Sequence, residues 1–158
     1  MFLTNKKELY MPFVSDLAFG KVYETKLVEY IKPQQFEHSL GLFKGWDVKM
    51  VQDGNTHLYE VKADRIMYRT NNICIEYECS TKPSGIQTTE ADIYAIFEVG
   101  TNSIYLIPVP VLKLAIQDMK YTRKMAGGDG CKARFYLFPK ILFSEFKKNI
   151  KNEDSILE

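Results

Sequence analysis

Two periodicities alternate along the chain. From Ser15 to Ile31 the apolar positions recur at helical spacing. On a 100° wheel, Leu17, Gly20, Leu27, Val28 and Ile31 cluster, with Phe19, Tyr23 and Tyr30 widening the arc. Lys21, Thr25, Glu29 and Lys32 fall on the opposite side. Ser15 or Asp16 suits the N-cap, and Lys32-Pro33 ends the helix because a proline disfavours helical backbone before it. Glu24 lies inside the apolar arc near its edge, where a carboxylate needs a partner. A phase error of one position would instead expose it.

After a connector from Gln34 to Gly45 the period changes to two. Trp46–Gln52 and Asn55–Asp64 flank Asp53-Gly54, a strong hairpin signal. A polar turn, Arg65–Asn72, leads to a third strand, Ile73–Cys79, with Ile73, Ile75 and Tyr77 on one face and Cys74, Glu76 and Glu78 on the other. Ser80–Gln87 is a loop containing Pro83 and Gly85. Thr89 and Asp92 have capping-box spacing and predict a helix through Glu98, ended by Gly100. Ser103–Val109 is a strand and Val111–Lys120 a helix. Tyr121–Arg134 is a Gly-rich loop with Arg123, Lys124, Lys132 and Arg134. Phe135–Phe138 is apolar, Ile141–Lys148 suits a short helix, and the last eight residues, Lys151–Glu158, look frayed. The order predicts an α/β domain, a mixed central sheet flanked by helices, as a single domain over residues 1–158.

Composition narrows the partners. With 158 residues and 46% hydrophobic residues, one sizeable core is affordable. A net charge of +1 leaves a nucleic-acid partner dependent on a local basic patch. Three cysteines without C-x-x-C spacing suggest a reduced chain with neither disulfide frame nor zinc knuckle. With no long apolar run and no signal-peptide pattern, a soluble, cytoplasmic protein without membrane contact is the default.

The hairpin carries the chemistry. Glu60 and Lys62, two apart on one strand, share a face, and pairing brings Asp47 towards them. Two neighbouring carboxylates resist joint ionisation unless a cation compensates them. The plainer alternative is a surface hairpin whose charges face water.

Trp46-Asp47, then twelve residues, then Glu60-Val61-Lys62 resembles the signature of the PD-(D/E)XK nuclease superfamily. The match runs over residues 15–110, leaving 111–158 as a C-terminal extension, and Trp46 stands where the signature has proline. The segment S-T-K-P-S-G-I-Q-T-T-E-A-D-I-Y-A-I-F is similar to one in small phage-type members. The resemblance implies a restriction-endonuclease-like αβββαβ core. It implies that Asp47, Glu60 and the Val61 carbonyl bind Mg²⁺ or Mn²⁺, with Glu24 as an additional ligand directly or through water. Lys62 would face the attacking water or phosphate, and a depressed pKa would let it act as a base. Glu76 or Glu78 could face the same site.

Lys82, Thr88 and Thr89 would meet nucleic-acid phosphates at the helix entrance. Arg123, Lys124, Lys132 and Arg134 would hold the backbone from the Gly-rich loop, although a plain cap and a solvated loop are the alternatives there. The implied activity is metal-dependent DNA phosphodiester hydrolysis of a junction-resolving, nicking or end-processing kind. DNA is the expected partner, with RNA also open. A homodimer would suit two strands, and a host-cell cytoplasmic setting would follow for a viral protein. The alternative is a catalytically inactive member that binds nucleic acid or serves assembly in a phage or virus.

Overall fold

The computed structural model describes residues 12–40, 45–127 and 132–150, and of residues 12–17 the backbone alone. The segment expected to fray, Lys151–Glu158, the lead-in before Pro12 and the centre of the Gly-rich stretch lie outside the described residues.

Helix α1 spans Pro12–Ile31 and so begins before Ser15 and Asp16, which lie inside it rather than capping it. The predicted wheel phase holds: Leu27 and Glu24 are buried, while Lys21, Thr25, Glu29 and Lys32 are exposed. Strand β1 (Gln35–His38) occupies what the sequence suggested was a connector, and β2 (Val48–Gln52) and β3 (Asn55–Asp64) form the predicted hairpin. Asp53 and Gly54 both have positive φ, 49° and 78°, as the two-residue turn that matches strand twist requires.

The chain continues through a one-turn helix α2 (Met67–Thr70), β4 (Asn72–Cys79), β5 (Lys82–Pro83) and a 3-10 turn at Gly85–Gln87. Then come β6 (Ile93–Glu98), β7 (Ser103–Pro108), α3 (Val109–Gln117), β8 (Arg123–Gly127) and β9 (Ala133–Pro139). A 3-10 segment, Lys140–Phe146, leads into β10 (Lys147–Asn149).

Among the described residues the strands form two sheets, a six-stranded one in the order β1-β2-β3-β6-β7-β10 and a four-stranded one in the order β5-β4-β9-β8. Among the described residues, only β3 and β6 pair parallel, which makes the larger sheet mixed. Leu27 of α1 packs with Val48, Met50, Tyr59, Ala95 and Phe97 on one face of that sheet. Ile73, Ile75 and Phe138 of the smaller sheet and Leu112 of α3 pack with Tyr94, Ile96 and Ile107 on the other. The coarse expectation, an α/β domain with a mixed sheet flanked by helices, is met. The specific αβββαβ core is not reproduced as predicted, because the third predicted strand, β4, belongs to the smaller sheet.

The predicted helix from Thr89 to Glu98 is instead strand β6. Tyr94 to Glu98 are all buried, the continuous run expected of a central strand covered on both faces. The polar residues that suggested a cap have other duties. Thr89 Oγ1 accepts the Ala91 N–H at 3.1 Å in a tight turn, and the Asp92 carboxylate accepts the Leu58 N–H of β3 at 2.8 Å. The Gly-rich stretch is also not a loop throughout, since its two ends are the paired strands β8 and β9. Of the two described cysteines, Cys79 is disulfide-bonded, against the all-reduced expectation, and Cys74 is free.

Gly85 is the tightest backbone approach. Its φ is +53°, and an added Cβ would stand 2.2 Å from the Glu76 carbonyl oxygen and 2.8 Å from its carbonyl carbon. Gly85→Ala therefore combines a strained conformation with a backbone clash, and should destabilise by about 2–4 kcal/mol. A fall in the urea midpoint at unchanged slope would register it. A midpoint equal to that of the parent would show that the loop yields freely.

Candidate active site

Strand register builds the site. Parallel pairing sets Glu60 beside Tyr94 and Lys62 beside Ile96. Neighbours across a ladder point the same way, so Glu60 and Lys62 share the face that Tyr94 and Ile96 present to the smaller sheet. Asp47 immediately precedes β2. Its N–H donates to the Tyr59 carbonyl at 2.8 Å, and its Oδ2 accepts the Val61 N–H at 2.7 Å. The side chain thus takes over the ladder position that β2 vacates. A strand residue directs its N–H and carbonyl to the same side, so the Val61 carbonyl also projects towards Asp47.

The electrostatics match two crowded acids. Burial first, then the charge of Glu60, push the Asp47 carboxyl up to about 6, while the Val61 N–H and Lys62 pull the other way. Lys62 Nζ lies 3.0 Å from Glu60 Oε1, and the side chains are 51% and 13% exposed. Burial alone would lower the Lys62 pKa, but the charge and hydrogen bond of Glu60 outweigh it and raise it. Lys62 is thereby held as an ammonium while Glu60 is its partner.

Glu24 stands beside the group rather than in it. It is 8% exposed, and its Oε2 accepts from Lys21 Nζ at 3.0 Å and lies 2.9 Å from His38 Nδ1. These partners explain a carboxylate in the apolar arc. Its charge has the smallest influence on Asp47 of those acting there. Helix α1 covers the face opposite Glu60 and Lys62, which is why the convergence predicted for Glu24 is incomplete. His38, on β1 across from Val48, is the partner that the sequence did not single out.

The second tier of predicted residues divides. Thr89 Oγ1 donates to the Gly45 carbonyl at 3.4 Å, and the Glu90 N–H donates to the same oxygen at 2.8 Å, which ties this loop to the segment leading into Asp47. Thr88 and Lys82 are exposed, but without a helix after Thr89 the proposed anion-binding helix entrance is absent. Glu76 accepts from Ser84 Oγ at 2.9 Å and acts on the Tyr94 hydroxyl through its charge. A bulge between Glu76 and Glu78 breaks their predicted common face, and Glu78 pairs with Arg134 at 3.2 Å. Lys124 lies over the rings of Tyr77, Tyr121 and Tyr136 at 5.6–5.9 Å. Arg123 and Lys132 are exposed on the same hairpin.

Tyr94 is the residue that the sequence reading passed over. It is 2% exposed, and burial, then the charge of Glu60, raise its pKa well above the ordinary phenol value. An isolated tyrosine in an apolar strand carries no motif, and only the register shows it beside Glu60.

The donor set suits a hard cation. Among the described residues, Asp47 is bonded through Oδ2 and Glu60 through Oε1, which leaves Oδ1 and Oε2 towards a ligand, with the Val61 carbonyl on the same side as Asp47. Two carboxylates, a carbonyl and waters match the preference of Mg²⁺ for few protein ligands. No cage of three or more His, Cys, Asp or Glu side chains exists among the described residues. No helix among them is long and apolar enough to cross a membrane. Fold and site together define a mixed-sheet α/β domain with an acid pair and a lysine at the junction of an antiparallel hairpin and a parallel strand. Compared with protein-family models, curated proteins and solved structures, the chain gives no significant match in any of the three.

Proposed function

We propose that this protein is a Mg²⁺- or Mn²⁺-dependent nuclease that hydrolyses DNA phosphodiester bonds, with Asp47, Glu60 and Lys62 at its centre. The observation that carries the reading is the Asp47 carboxyl, pushed up to about 6 by burial and the neighbouring Glu60 charge. A carboxyl whose ionisation is opposed by a neighbouring carboxylate is relieved when a cation joins them, so the pair favours a divalent ion. The spacing to Lys62 and the resemblance of Asp47…Glu60-Val61-Lys62 to the PD-(D/E)XK signature support the same reading.

A divalent cation would supply Lewis acidity towards the phosphate and an attacking water. Asp47, Glu60 and the Val61 carbonyl would hold it. Lys62, half exposed, offers its ammonium to an incoming phosphate and offsets the negative charge that grows during hydrolysis. A homodimer would present one such group to each strand of a duplex or junction.

A second reading is favoured by one observation. Lys62 is tied to Glu60 at 3.0 Å, as in a fold kept for nucleic-acid binding or assembly. One assay separates the two. Purified protein is incubated with linear, nicked, single-stranded and four-way-junction DNA, and with RNA, in Mg²⁺, Mn²⁺ or EDTA. Metal-dependent products that EDTA abolishes are expected on at least one DNA. Binding without cleavage on any substrate would leave the second reading standing and sink the first.

A further inference from the structure

Among the described residues, the hydroxyl of Tyr94 is the one fully buried side-chain polar atom without a hydrogen-bond partner. Buried hydroxyls are almost always satisfied, so an orphan at a candidate site calls for a physical account. Thr89 acts on this hydroxyl, but its Oγ1, which donates to the Gly45 carbonyl and accepts the Ala91 N–H, does not come within hydrogen-bonding geometry of it. The charged groups that act on the Tyr94 hydroxyl are Glu60, Lys62 and Glu76.

The neighbouring ion pair has a conflict of its own. Lys62 Nζ and Glu60 Oε1 hold each other at 3.0 Å, yet the proposed reaction needs Glu60 on a cation and Lys62 on a phosphate. Once Glu60 turns away, the ammonium needs an acceptor that keeps it at the site. A phenol oxygen can be that acceptor, and an ammonium has three donors, so one bond leaves two for substrate.

We propose that Tyr94 is a positioning residue for Lys62: when Glu60 turns its carboxylate to a divalent cation, Lys62 Nζ donates to Tyr94 Oη and stays in place. The inference rests on the nuclease reading and adds a residue that the acid–lysine signature does not contain. Direct contact of Tyr94 with substrate is disfavoured by burial, since its hydroxyl has no exposed surface whereas half of the Lys62 side chain is open to solvent. Tyr94 therefore acts through Lys62.

The test is a double-mutant cycle on the full-length protein with Tyr94→Phe, Lys62→Met and the two combined. Calorimetry reads Mg²⁺ affinity, melting in EDTA reads stability, and DNA cleavage reads kcat and KM. Tyr94→Phe is expected to melt in EDTA at or above the parent temperature, because it removes a hydroxyl that has no partner to lose. It should weaken Mg²⁺ binding about 5- to 10-fold and lower kcat about 10-fold with KM nearly unchanged, the size of one hydrogen bond to a charged group. In the Lys62→Met background its effect on Mg²⁺ affinity should vanish.

A Tyr94→Phe protein that melts lower in EDTA with Mg²⁺ affinity and kcat intact would overturn the proposal in favour of a hydroxyl bonded to interior water. An equal effect with and without Lys62 would overturn it too. A parent protein that binds no Mg²⁺ defeats the nuclease reading and this inference with it. A parent that binds Mg²⁺ and cleaves, matched in full by Tyr94→Phe, defeats this inference alone.

Discussion

Asp47→Asn is expected to abolish metal-dependent cleavage while making the protein more stable at neutral pH. The amide keeps the size of the carboxylate and can still accept the Val61 N–H, so the local fold should survive. It cannot supply a charged oxygen to a cation, and the loss should reach about 10³-fold in rate. The stability gain follows from the raised pKa. A carboxyl that titrates near 3.8 when unfolded and near 6 when folded contributes stability that is fully present below about pH 3.8. That contribution is lost as pH rises through 6, and above it the ionised group costs at most about 3 kcal/mol. At about 2–4 °C per kcal/mol, Asp47→Asn should melt several degrees above the parent at pH 7.5, with the gap closing by pH 4. Mg²⁺ should narrow the gap by stabilising the parent alone. Melting curves across pH 4–8 with and without Mg²⁺, beside a cleavage assay, make the check. Residual cleavage, or a variant less stable at pH 7.5, would show that Asp47 is not the strained acid of the site.

The largest loss of stability is expected from Lys140→Met. Glu98, at the end of β6, is 2% exposed, and Lys140 Nζ meets both its carboxylate oxygens, at 3.2 and 3.0 Å. This pair pins the 3-10 segment to the larger sheet. Removing one member of a buried pair leaves the other charge without compensation, at a cost of about 3–5 kcal/mol. In a domain of this size that is roughly 10 °C of melting temperature. The combined Glu98→Leu, Lys140→Met variant should recover most of the loss, since an apolar pair of similar volume removes the desolvation penalty altogether. A single variant that melts like the parent would show that water reaches Glu98 freely. A double variant as unstable as the single one would shift the cause from charge to packing.

What the sequence disclosed depended on how local the cause was. The hairpin was legible because its turn chemistry, Asp53-Gly54, and its alternation agree within a dozen residues. Glu24 was legible as a buried acid because helix phase is local, but its partner His38 lies across a turn on a strand too short and exposed to register. Strand β6 was misread because a short buried run, I-Y-A-I-F, has no period that separates helix from strand. The Thr89-x-x-Asp92 spacing then tipped it the wrong way. The membership of β4 in a second sheet is decided by pairing with β9, more than fifty residues later, and no local pattern encodes it. Glu98 and Lys140 escaped for the same reason. Of the acid–lysine group, the residues were legible and the partners were not: Tyr94 enters only through the parallel register with Glu60.

That register also dictates an order of assembly. The β2–β3 hairpin can close as soon as its own residues exist, but β6 must return to β3 past β4 and β5. Strand β4 in turn waits for β9, which follows β8 near the C-terminal end. Non-local parallel pairing and late closure of the smaller sheet give a high contact order, so folding belongs to the slow end for a domain of this size. During synthesis the hairpin emerges before β6 and stays open on that edge. Asp47 then spends that interval in water with ordinary acidity, and the burial that raises its pKa is among the last features of the fold to form.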